Sequence, residues 1–141
     1  MPPCGMLNRN SLRREVSMKQ LYASGEDYLE AVLVLQKEKG IVRSVDVARH
    51  MGVSKPSVCH AVTTLKKGGF LVMDDDFSLH LTSVGQEIAE QIYERHQFFT
   101  EQLIAAGEDP QTAERDACRI EHAISDESFQ KLKKSSNNEL L

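Results

Sequence analysis

The chain has 141 residues, a formal net charge of −4, 40% apolar and 27% charged residues, and no tryptophan. That composition reads as soluble and globular, one domain or a small domain with an oligomerisation segment. No apolar run approaches the ~18 residues of a membrane span, the first seventeen residues lack the apolar core of a secretory signal, and three widely spaced cysteines (Cys4, Cys59, Cys118) argue for reduced thiols over a disulfide framework, so a cytoplasmic protein with no membrane partner is expected.

Residues 1–22 show no periodic apolar pattern and include Pro2, Pro3 and Gly5. A flexible arm is expected there, with Met18 as an alternative start. A first helix is predicted from Ser24, which forms with Asp27 a capping-box-like pair, through Tyr28, Leu29, Val32, Leu33 and Leu35 to Gly40. A second runs from about Val45 to Met51, with Ser44 as cap and Gly52 as stop. Ser54 caps a third, Pro56 sits harmlessly in its first turn, and Gly68-Gly69 ends it.

Two helices separated by the short turn Met51-Gly52-Val53-Ser54 form the helix-turn-helix pattern. Ala48 falls where the helices must approach, with Val53 and Val58 expected in the angle between them. Two strand-like runs, Phe70 to Met73 and Ser78 to Leu81, flank Asp74-Asp75-Asp76 as a hairpin, the wing of a winged helix. Thr82 then caps a long helix to Ala106, with Ile88, Ile92, Phe99 and Leu103 on one stripe. Asp109-Pro110 opens a fifth helix reaching about His122. Ser125-Asp126-Glu127 opens a sixth that fades at Lys131 to Lys134, leaving a disordered tail from Ser135. The expected fold is mostly α: an arm over 1–22, a winged helix-turn-helix domain over 23–82, a helical dimerisation domain over 83–134 and a tail over 135–141.

Charge is unevenly distributed. Between Lys37 and Gly69 seven Lys/Arg face two acids, while between Asp74 and Gln130 fourteen acids face three arginines. A basic segment before an acidic half suggests one surface for phosphates and another for cations. The third helix exposes Lys55, Ser57, His60, Thr63 and Thr64, with Lys66 and Lys67 near its end. Short polar groups there reach base edges while lysines hold phosphates. The bland alternative is a helical hairpin with a solvated face.

Cys118, Glu121 and His122 follow i, i+3, i+4 spacing, which puts a thiolate, a carboxylate and an imidazole on one helix face. That donor set suits a transition metal of borderline softness; a solvated face with a buried cysteine is the alternative. Asp27 and Glu30 are likewise neighbours on the first helix, where a favourable helix-dipole charge and a solvated acid are the plain alternative. His96, between Arg95 and Gln97, reads equally as a half-buried structural histidine. No nucleophile–base pair stands out, so an enzyme is not expected.

Taken in order, Glu26-Asp27-Tyr28-Leu29-Glu30, Val53-Ser54-Lys55-Pro56-Ser57-Val58, Leu81-Thr82-Ser83-Val84-Gly85, Arg95-His96 and Cys118 through Asp126 resemble the metal-dependent repressors of the diphtheria-toxin-repressor and manganese-transport-regulator family over about residues 20–132. The resemblance implies a winged-helix domain joined to a helical dimerisation domain, with metal ligands at Asp27, Glu30, His96, Cys118, Glu121 and His122. The set is a hybrid. Asp27 is as in the manganese type, where the iron type carries Met; Cys118 is as in the iron type, where the manganese type carries Glu. The carboxylate that the iron type uses four residues after the histidine is replaced by Thr100, with Glu101 beside it and Glu114 as a possible compensation. The SH3-like domain of longer members is not expected.

The function implied is a homodimeric regulator that represses metal-homeostasis genes by binding palindromic double-stranded operator DNA in response to a divalent transition metal. Asp27, Glu30 and Glu121 are hard donors, the histidines intermediate, and Cys118 soft. Fe(II) is favoured and Mn(II) second. Two other functions fit less of the pattern: a winged-helix regulator that needs no metal, and a metal-buffering protein that binds no DNA.

Overall fold

The computed structural model describes residues 24–139, with six α-helices and one two-stranded sheet among them. The expected arm over residues 1–22 lies outside the described residues. The helices are α1 (Glu26–Lys39), α2 (Ser44–Met51), α3 (Lys55–Lys67), α4 (Ser83–Ala105), α5 (Pro110–Ala123) and α6 (Asp126–Glu139), and the strands β1 (Leu71–Met73) and β2 (Leu79–Leu81) lie between α3 and α4. Two compact units meet in sequence between Gln86 and Glu87. No helix among the described residues is long and apolar enough to cross a membrane.

The first unit is a helix-turn-helix with a hairpin. Gly40 and Gly52 stop α1 and α2 with φ of 83° and 67°, conformations that cost glycine little. Leu29, Val32, Val42, Val47, Val58, Val62, Leu65, Leu71 and Leu79 form its buried core. The strands pair antiparallel in the register Leu71↔Leu81, Val72↔His80 and Met73↔Leu79. The Leu79 N–H also donates to the Val42 carbonyl at 2.7 Å, so the link between α1 and α2 runs beside β2.

Three local expectations need correction. Gly25, not Ser24, immediately precedes α1; it holds helical dihedrals (φ −63°, ψ −42°) and has no side chain to cap with, whereas a cap requires a non-helical residue. Arg43, not Ser44, precedes the first turn of α2, and the Asp46 carboxylate accepts the Arg43 N–H at 2.9 Å. Val53 does not fill the angle between α2 and α3. Its N–H bonds back to the Ala48 carbonyl at 3.1 Å and the residue is 37% exposed, whereas Val58 is buried as expected and Val47 is buried too.

The second unit holds most of α4, with α5 and α6. Phe99, Ala117 and Phe129 form its core with Phe98, Ile120 and Ile124 against them. Phe98 and Phe129 meet edge to face at 5.4 Å between centroids, a favoured aromatic geometry. Asp109 and Ser125 cap α5 and α6 through the N–H groups of Thr112 and Ser128. The tail expected from Ser135 is helical through Glu139. Lys133 pairs with Glu94, and Gln102 Nε2 donates to Ser136 Oγ at 3.1 Å, fastening turns of α6 that carry no apolar signal.

The start of α4 belongs to the first compact unit. Thr82 donates its N–H to the Phe70 carbonyl (3.1 Å) and its hydroxyl to the Gly69 carbonyl (2.7 Å), while its Oγ1 accepts the Gly85 N–H (3.2 Å). The first turn of α4 is thereby bonded to the end of the helix-turn-helix.

Candidate functional site

The DNA-facing candidates all lie on the outer side of α3. Lys55, Ser57, His60, Thr63, Thr64, Lys66 and Lys67 are exposed, while Val58, Val62 and Leu65 hold the helix to its unit. Their polar tips are not equivalent. The Ser57 N–H donates to Ser54 Oγ at 3.3 Å, and the two serine hydroxyls lie 2.8 Å apart. Thr63 and Thr64 donate their hydroxyls to the carbonyls of Cys59 and His60, at 2.9 and 3.1 Å. Three of the four candidate base readers thus have hydroxyls engaged in the helix itself, a common use of Ser and Thr. The lysines and His60 extend from this stiffened face. Cys59 is exposed on the same helix.

The wing is organised by one carboxylate. Asp74 Oδ1 accepts the N–H groups of Ser78 (2.9 Å) and Asp76 (3.2 Å), and Oδ2 lies 2.7 Å from His80 Nε2. Its hydrogen bonding with Asp76, then with His80, holds the carboxyl well below the usual carboxylate range. Arg43 reaches the tip, donating Nε to the Asp76 carbonyl at 3.2 Å. Phe77 stands exposed at the tip with φ of 66°. Left-handed backbone at a non-glycine residue costs on the order of 1 kcal/mol.

The metal candidates of the second unit converge on Glu121. Along α5, Ala113, Ala117 and Glu121 recur every four residues and all are buried, so the carboxylate occupies a core position. Glu121 has no exposed surface. Its Oε2 is 2.9 Å from His96 Nδ1 on α4, and its Oε1 is 3.5 Å from His122 Nε2. Cys118, Glu121 and His122 each offer a donor atom within 4.8 Å of the others. Burying a carboxylate is costly unless opposite charge or hydrogen bonds compensate it. A carboxylate at a core position among two imidazoles and a thiol is the chemistry of a metal centre, so the residues fit the ion that the sequence suggests.

Asp27 and Glu30 belong to the first unit, one turn apart on α1, and both are partly buried. Glu101 and Glu114 are exposed and join no cluster of three or more donor side chains among the described residues.

Arg95 escaped the sequence reading as a participant. It is only 9% exposed, and it lies on the α4 stripe Ala89, Ile92, Arg95, Phe99. An arginine at a core position of an otherwise apolar stripe was the available signal. Its Nη1 donates to the carbonyls of Glu121 (3.2 Å) and Ile124 (3.1 Å), and its Nη2 lies 3.5 Å from Asp126 Oδ1.

Comparison with known proteins gives a consistent result. Residues 20–77 match the family model "Iron dependent repressor, N-terminal DNA binding domain", and residues 82–138 match "Iron dependent repressor, metal binding and dimerisation domain". The chain is 34% identical over 116 residues to the transcriptional regulator MntR of Escherichia coli O6:H1, covering 82% of this chain and 73% of that one. It is 33% identical over 109 residues to the HTH-type transcriptional regulator MntR of Bacillus subtilis, covering 77% of each. Among solved structures, the manganese regulator SloR superposes with a TM-score of 0.73 at 26% identity, over 79% of this chain. The chain spans about half of that structure's length, 53%.

Proposed function

The chain belongs to the iron-dependent repressor family, and from that premise we propose that it is a divalent-metal-responsive transcription regulator, a repressor of metal-homeostasis genes that binds palindromic operator DNA as a homodimer. The observation that carries this reading is the buried Glu121 carboxylate among His96, Cys118 and His122, in a chain whose other unit exposes a basic recognition helix. A cytoplasmic location and a non-enzymatic role go with it.

The proposed ligand set is Asp27 and Glu30 from α1, His96 from α4, and Cys118, Glu121 and His122 from α5. These residues would hold a divalent ion, which would favour the conformation that presents its donors. In a twofold dimer the recognition helices must enter major grooves ~34–36 Å apart. Metal and operator affinity would then rise together and reciprocally. Lys55, Lys66 and Lys67 hold phosphates, and His60 reads base edges.

Fe(II) is the proposed activator, because Cys118 softens an otherwise hard donor set. Mn(II) is the second reading, supported by relatives named as manganese regulators. Binding of selected palindromic DNA is to be titrated with Fe(II), Mn(II), Co(II), Zn(II) or a chelator present. Metal-dependent affinity that chelation abolishes supports the proposal. Affinity indifferent to chelation assigns a metal-independent regulator, and metal uptake without salt-sensitive DNA binding assigns a metal buffer.

A further inference from the structure

We infer that Arg95 is a positioning residue for the metal ligands of α5, acting through the backbone of Glu121; the inference rests on the metal-site reading above. The last four carbonyls of a helix have no partner within it. In α5 these belong to Ile120, Glu121, His122 and Ala123, and they surround the ligand-bearing turn. Ile120 is served by the Ile124 N–H at 3.3 Å. Arg95 serves Glu121 at 3.2 Å and the following Ile124 at 3.1 Å with the same nitrogen. Its other terminal nitrogen reaches Asp126, the first residue of α6, at 3.5 Å.

The guanidinium therefore grips the end of α5, the connecting turn and the start of α6 together. Its charge sits where the helix dipole is negative. It is held in place in turn: the ring of Phe129 lies 5.5 Å from the guanidinium carbon, and the side chain is almost wholly buried. Arg95 immediately precedes His96, and successive helical residues point ~100° apart. One turn of α4 thus sends His96 to the Glu121 carboxylate and Arg95 to the Glu121 carbonyl. Side chain and main chain of one ligand are fixed from a single neighbouring turn.

Ligand geometry must hold within about 0.5 Å for a site to work. Loss of an outer partner typically costs 10–100-fold in metal affinity. A lysine keeps the charge but, as a compact ammonium on a flexible stem, it does not reproduce the planar fork.

The test is a titration of metal-free wild type, Arg95→Gln and Arg95→Lys with Co(II) alone, read by its d–d absorption and thiolate charge-transfer band. Circular dichroism and sedimentation check fold and assembly. The expected result is cobalt affinity on the order of 10–100-fold lower in Arg95→Gln, with Arg95→Lys intermediate, both with altered d–d bands and wild-type helicity. A folded Arg95→Lys or Arg95→Gln protein with wild-type affinity and an unchanged spectrum overturns the inference. If Arg95→Gln does not fold, Arg95→Lys decides alone. Wild type that gives no charge-transfer band and is indifferent to Glu121→Ala instead overturns the metal site itself, and the inference with it.

Discussion

Gly85 lies against Phe70 so closely that a Cβ on the glycine would stand 2.1 Å from the Phe70 carbonyl oxygen. That oxygen is itself occupied, accepting the Thr82 N–H. A backbone atom in a hydrogen bond cannot retreat as the tip of a side chain can. The first turn of α4 and the start of the wing are therefore packed main chain on main chain.

Gly85→Ala must displace the first turn of α4 from Phe70. Overpacking of this kind typically costs 1–3 kcal/mol, and about 3 kcal/mol is expected because the obstacle is backbone. Urea unfolding measures it. A variant as stable as wild type shows that the first turn of α4 moves freely of Phe70.

The motif around Gly85 was legible in the sequence, and its reason was not. Sequence patterns report local causes well. Ser54 followed by Pro56, Asp109 followed by Pro110, and the glycines after α1 and α2 mark helix ends through contacts a few residues long. Val53 failed because the direction of one side chain after a left-handed glycine is set by the turn, not by hydrophobicity. The last turns of α6 were missed because their polar residues are tethered to Glu94 and Gln102, more than thirty residues away. Donors at i, i+3 and i+4 marked the face of α5, but periodicity alone gave no reason for Glu121 to be the buried one. Arg95 was hidden for the same reason, since its carbonyl partners lie 26 and 29 residues on.

On α3 the hydrogen bonds divide the work. Ser57, Thr63 and Thr64 engage their hydroxyls locally, so base discrimination is expected to fall chiefly to His60. Lys55→Ala and Lys66→Ala should each weaken binding to all DNA sequences and lower the salt slope by about one. His60→Ala should leave the slope and change sequence preference. Competition against scrambled DNA decides; unchanged binding in all three variants removes α3 as the recognition helix.

Asp46 predicts a pH signature in the same unit. Its carboxylate takes Lys39 at 2.7 Å and the Arg43 N–H at 2.9 Å. The Lys39 hydrogen bond, then that of Arg43, lowers its pKa from the ordinary 3.8. A carboxyl depressed in the folded state contributes stability that is complete above the unfolded value and is lost as pH falls through the folded one. Asp46→Ala should therefore cost about 1 kcal/mol near neutrality, the usual loss for a helix-start acceptor, with the exposed Lys39 partner adding little. The two proteins should converge in stability as pH drops below 3.8 and through the depressed value. A difference that persists unchanged into strong acid means that packing, not charge, makes the contribution.

The sharpest prediction concerns Cys118, the one soft donor beside Glu121 and His122. Raw affinity should follow the general order for divalent ions, with Co(II) and Zn(II) binding more tightly than Mn(II) whatever the ligand. Activation is a separate matter, because it depends on the geometry in which the donors close. Cys118→Glu replaces a thiolate by a carboxylate and leaves only oxygen and imidazole donors, a set that suits Mn(II). The variant should shift the metal ranking for operator binding toward Mn(II), while Glu121→Ala and His122→Ala abolish metal activation. Cys118 is half-buried, and glutamate is larger, so helicity and thermal unfolding must be measured alongside. The comparison is operator affinity against each metal for wild type and Cys118→Glu. A folded Cys118→Glu protein with the wild-type ranking would show that Cys118 is not a ligand, and the metal preference would then rest on the carboxylates and histidines alone.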